Sequence, residues 1–106
     1  SGSGYTWVGN AHEFRLTPWH NDPVTDNSGE AMYIRDEDTG EFWSPTPLPA
    51  RGQSGYVCRH GFGYSVFEHR QSDIVSQMTT YVAMDAPVKC VVVTLQNRSR
   101  RTRRLS

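Results

Sequence analysis

Residues 73–84, DIVSQMTTYVAM, constrain the fold more than any other stretch. Ile74, Ser76, Met78, Thr80 and Val82 fall on one side of a period-two pattern, and Val75, Gln77, Thr79, Tyr81 and Ala83 on the other. A helix would scatter both sets around its circumference, so this stretch reads as a strand. The segment VKCVVVTLQN (88–97) is the most β-branched part of the chain and reads as a central strand buried on both faces. No segment carries a convincing helical period.

The remaining segments fit the same scheme. EAMYIRDEDTGEFWSP (30–45) predicts two short strands joined at Asp38-Thr39-Gly40, where Asp supplies a side-chain turn bond and Gly a positive φ. TPLPARGQSG (46–55) is a Pro/Gly-rich loop. YVCRHGFGYSVFEHR (56–70) reads as strand, with Gly61 and Gly63 marking a bulge or bend. RSRRTRRLS (98–106) predicts a turn over 97–100 and the first residues of a further strand. The expected fold is all-β, an antiparallel β-sandwich. Residues 1–106 form a single partial domain, expected to be a fragment of a larger sandwich, because a half-finished hairpin leaves ladder groups unpaired.

Composition enters where it removes function classes. Eleven acidic and eleven basic residues give zero formal charge, so no general attraction to nucleic acid is expected. No apolar run is long enough to span a membrane as a helix. Two cysteines, Cys58 and Cys90, make no disulfide framework; both are expected as reduced thiols, mostly buried, with Cys90 in the central strand.

The chemical motifs are weak one by one. His12, His20, His60 and His69 lack the close spacing of a zinc site. Cys58 and His60 share one face of a strand but supply only two ligands, so no metal is expected. DEDTGE (36–41) places its Gly one position early for a calcium loop and suits a hairpin turn better. Ser65 in GYSVF sits inside a strand pattern and lacks the second Gly of a nucleophile elbow. Glu13, Asp22, Asp26 and Glu30 could supply a carboxylate pair for glycoside chemistry, but loop carboxylates usually cap turns. No catalytic residue is assigned. Arg98, Arg100, Arg101, Arg103 and Arg104 are the one charge cluster, placed where charge guards a sheet edge against aggregation.

The stretch EFRLTPWHNDP (13–23) is richer in hydrogen-bonding side chains. Trp19 beside Asn21 and Asp22, with Arg15 four residues earlier, is a set that binds sugars: an indole face for C–H groups and polar groups for hydroxyls. The other reading makes Trp19 a plug at the end of the sandwich, with the polar groups satisfying loop backbone. Both stand at this level.

The motifs GSGYTW, RLTPWxNDP and RHGFGYS, carried in a pattern that runs essentially end to end, resemble the N-terminal β-sandwich of glycoside hydrolase family 94. Within that family the chain resembles the phosphorylase-like region of the cyclic β-1,2-glucan synthases. His20 departs from the pattern, standing where a small Ser is more usual. The resemblance implies a large enzyme in which the sandwich precedes an (α/α)6 barrel. That barrel holds the general acid and the site for inorganic phosphate, so the sandwich itself needs no cofactor. It further implies contacts with the barrel, dimer contacts, and a β-glucan oligosaccharide met through the parent enzyme; a homo-oligomer through an open strand edge beside 88–97 is expected separately, from the unfinished strand. On that view Arg15, Trp19, His20, Asn21 and Asp22 form a lip at the active-site entrance, stiffened by Pro18 and Pro23. An autonomous carbohydrate-binding module is the alternative. Localisation is expected on the cytoplasmic side, with the parent attached to the bacterial inner membrane.

Overall fold

The computed structural model describes residues 4–18, 24–25 and 28–106. Among them there is no helix, and the strands form two antiparallel sheets, which bears out the all-β reading. The small sheet pairs β1 (Ile34–Arg35) with β2 (Phe42–Trp43). The large sheet has the order β3 (Tyr56–Gly61), β4 (Tyr64–Gln71), β5 (Ile74–Val82), β6 (Lys89–Asn97).

Both β1–β2 and its turn follow from local chemistry. Asp36 Oδ1 accepts a hydrogen bond from the Asp38 amide at 2.9 Å, and Gly40 sits at φ +74°, where a Cβ would be strained. The run 56–70 differs from its expectation. Gly61 and Gly63 do not bulge a single strand; they flank a reversal, with Gly61 paired to Tyr64 around Phe62-Gly63. A turn needs only two residues when one tolerates positive φ, so the stretch yields two strands. The β4–β5 turn is equally tight, and Ser72 and Asp73 both take positive φ there.

The alternation of 73–84 is realised as expected. Ile74, Ser76, Met78 and Thr80 are buried, facing the same side as Ser65, Phe67, His69 and Gln71 of β4. The reading of 88–97 as a central strand is corrected. Among the described residues β6 pairs only with β5 and forms an edge of the large sheet, and most of its side chains are exposed. A β-branched run reports fitness for a pleated surface and carries no signal for position within a sheet. The cysteine expectation changes with it: Cys90 is half-buried and Cys58 exposed, although both are free as expected. Cys90 lies across from Tyr81, whose hydroxyl is pushed up by its hydrogen bond and charge interaction with that thiol and by burial. Thiol titration without reductant should therefore count two, with Cys58 reacting ahead of Cys90; a count of zero would refute the free thiols.

The apolar core is small and sits at one end. Ile34 and Trp43, paired across β1–β2, join Ile74 at the β4–β5 turn, with Leu105 packed against them. Residues 98–106 supply that last contact. Asn97 Oδ1 accepts from the Ser99 amide and turns the chain. The tail then runs antiparallel to β1, with Arg35 and Ser106 exchanging both backbone bonds. This bears out the expected turn and strand start. One arginine of the basic run departs from the edge-guard expectation: the Arg103 side chain is buried against Asp36, at 3% and 0% exposure. The protein measures 48 × 34 × 21 Å with a radius of gyration of 15.2 Å, above the ~13 Å of a compact domain this long. It is a thin layer more than a closed core.

Candidate functional site: a groove across the sheet

Residues 4–17 and 28–32 cross the buried face of the large sheet and leave a groove between themselves and the strands. The crossing segment has its own order. Trp7 bridges Arg15, the Val8 amide donates to the Phe14 carbonyl at 3.0 Å, and the Leu16 amide donates to the Thr6 carbonyl at 2.9 Å. Thus the first part of the 13–23 stretch folds as one arm of a narrow hairpin, with Arg15 exposed on it. Trp19, His20, Asn21, Asp22 and Pro23 lie outside the described residues, and so does the choice between lip and plug.

The groove has two compartments. The smaller, about 360 Å³, lies over Cys58, His60, Phe67 and Met78, with Met32 and Leu48 opposite. The larger, about 790 Å³, lies between the hairpin and the end of the sheet, where Ser65 and Thr80 are neighbours across β4 and β5. Tyr5, Glu30 and Val91 line both and make a waist. Cys58 and His60 share this face as the sequence implied. His60 Nδ1 lies 2.9 Å from Ser65 Oγ, and its ring meets Phe67 edge-on at 5.8 Å. Among the described residues no cluster of three metal-ligating side chains forms.

Electrostatics at the waist centre on Lys89. Its Nζ donates to Glu30 Oε2 at 2.6 Å and to Thr6 Oγ1 at 2.9 Å, while Thr6 Oγ1 donates to the other Glu30 oxygen. The pair is partly withdrawn from water, at 16% and 31% exposure. Lys89 Nζ also reaches the Tyr5 carbonyl at 3.5 Å, so its three donors are engaged and the pair carries no net charge. Sequence reading missed this pairing because the partners are 59 residues apart. Lys89, at the start of a β-branched run, was the available hint.

The loop 46–55 is held beside the groove by buried polar groups. Tyr56 donates to the Ser44 carbonyl at 2.8 Å and accepts from the Gly52 amide at 2.9 Å. Burial pushes its hydroxyl up, opposed by that amide and by Arg51. Its ring stacks on His69 at 3.8 Å. His69 Nδ1 lies 3.1 Å from the Gly55 carbonyl, so Nδ1 carries the proton in the neutral ring. Gly52 is required here: an added Cβ would collide with the buried His69 ring at Nε2.

An antiparallel sheet crossed by an ordered N-terminal arm, with a groove between them, defines an all-β domain of the sandwich type. The chain belongs to the family described as glycosyl hydrolase 94, supersandwich domain, whose model matches residues 1–106. It is 35% identical over 105 residues to the cyclic beta-(1,2)-glucan synthase NdvB of Rhizobium meliloti, covering 98% of this chain and 4% of that protein. It is 40% identical over 75 residues to the solabiose phosphorylase of Paenibacillus borealis, covering 70% and 10%. With the N,N'-diacetylchitobiose phosphorylase of Vibrio furnissii the identity is 29% over 106 residues, covering 97% and 13%. The chain thus spans only a small part of the length of each relative.

Proposed function

We propose that this chain is the non-catalytic N-terminal β-sandwich portion of a carbohydrate-active enzyme of the glycoside phosphorylase or cyclic β-1,2-glucan synthase type. It supports an (α/α)6 barrel, contributes subunit contacts and borders the active-site entrance. The observation that carries this is the family match over the whole chain, combined with relatives named for glucan synthesis and disaccharide phosphorolysis. Two of the described carboxylates support it, since Glu30 at the groove is paired with Lys89 and Asp36 at the β1–β2 turn with Arg103. On this reading inorganic phosphate binds in the barrel, β-glucan reaches the domain through the parent enzyme, and the parent works on the cytoplasmic side of the bacterial inner membrane. The open β6 edge offers a place for a second subunit.

An autonomous β-glucan-binding module is the second reading, and the groove is the observation in its favour. Comparing the 106-residue chain with its parent tests the first. The chain should release no sugar phosphate from β-glucosides in the presence of inorganic phosphate, while the parent does so. Turnover by the chain alone would reject a non-catalytic role.

A further inference from the structure

We infer that the two-compartment groove binds a β-glucan oligosaccharide, with one pyranose unit on each side of the waist at Tyr5, Glu30 and Val91. The ligand class rests on the proposed role in a glucan-handling enzyme; the location rests on the groove alone.

Size and shape come first. Each compartment, at about 360 and 790 Å³, lies within the ~300–1,000 Å³ range of small-ligand clefts. Because the two share three lining residues, a ligand filling both must be a chain of at least two units. Charge is the second argument. Lys89 and Glu30 neutralise each other at 2.6 Å, so the waist exerts little pull on an anion or a cation, and the Glu30 oxygens keep lone pairs that accept hydrogen bonds from a neutral hydroxyl. Their partial burial strengthens those bonds relative to water.

The third argument is the indole. Trp43 is 1% exposed and committed to the core, whereas Trp7 is 53% exposed and lines the larger compartment. Backbone pairing within the 6–17 hairpin sets the position of Trp7 before any ligand arrives, which lowers the ordering cost of stacking on it. A peptide strand is a poorer occupant. The groove floor is a sheet face, and the free ladder groups that recruit a strand lie at the β3 and β6 edges.

An NMR titration of the 106-residue chain with short β-1,2-linked glucose oligomers tests this. Saturable shifts are expected at Thr6, Trp7, Lys89 and Val91, with glucose itself binding far more weakly than the dimer. Trp7→Ala should weaken binding by about tenfold and Glu30→Gln by several-fold, as loss of a stacking face or a charged acceptor does. The shift map on the unaltered chain needs no variant to fold. Absence of shifts at millimolar oligomer in a chain with folded amide dispersion overturns the groove, and so do shifts confined to residues 18–23. Either result leaves a supporting role in the enzyme standing, which only turnover by the chain itself would reject.

Discussion

Trp43→Ala is expected to cost about 3–5 kcal/mol, the range for deleting a buried aromatic side chain. Among the described residues Trp43 is the largest fully buried side chain, and its cluster holds Ile34, Ile74 and Leu105. With so few apolar groups enclosed, nothing nearby can collapse into the space. Total stabilities of small domains run to only ~5–15 kcal/mol, so the variant should be substantially unfolded near room temperature. Denaturant melts of the chain measure it. A loss under about 1 kcal/mol, typical of a surface site, would place the core elsewhere.

Arg103→Met should produce the second large effect, and it should depend on pH. Asp36 is fully buried. Burial alone pushes its carboxyl up, but hydrogen bonds from the Asp38 amide and the Arg103 guanidinium, with that cation's charge, outweigh burial and hold it below its ordinary 3.8. A carboxylate whose folded pKa is depressed adds stability that is complete above its unfolded value. That stability is lost as pH falls through the lower folded value. The unaltered chain should therefore keep this contribution near neutrality and lose it only below pH 3.8. In the variant Asp36 keeps its burial and loses its cation, so stability at neutral pH drops and the acid-sensitive window moves upward. Melts across pH on both chains decide it; parallel profiles would show that the pair carries no linkage.

Much of the large sheet was legible because period-two alternation has a direct cause: residues two apart share a face. It put Ile74, Ser76, Met78 and Thr80 together on one face, which the structure shows to be the buried one. The Asp38–Gly40 turn was legible for a similar reason, since its chemistry is local. Sheet position was not legible. The β-branched run 88–97 reads alike at a centre or an edge, and only the pairing partners decide. The Gly61/Gly63 pair was ambiguous between a bulge and a reversal, which differ in tertiary pairing and hardly in composition. For the site, the family was readable from motifs spread over the whole chain. The waist pair Lys89–Glu30 and the buried Arg103–Asp36 pair were not, because each joins segments far apart in sequence. Arg103 was further disguised by four arginine neighbours that look alike in one dimension.

The return of the tail to β1 has a consequence for the order of assembly. Hairpins β3–β4 and β4–β5 close over two-residue turns, and such units form in roughly 1–10 μs. Asp36 meets Arg103 across 67 positions, and closing so long a loop costs entropy that only completed packing repays. The tail should therefore dock last, after the sheet it staples is already standing. Contacts formed after the barrier act mainly on the rate of leaving the native state. The Arg103 latch would then govern how long a folded molecule lasts, with little influence on how fast it forms.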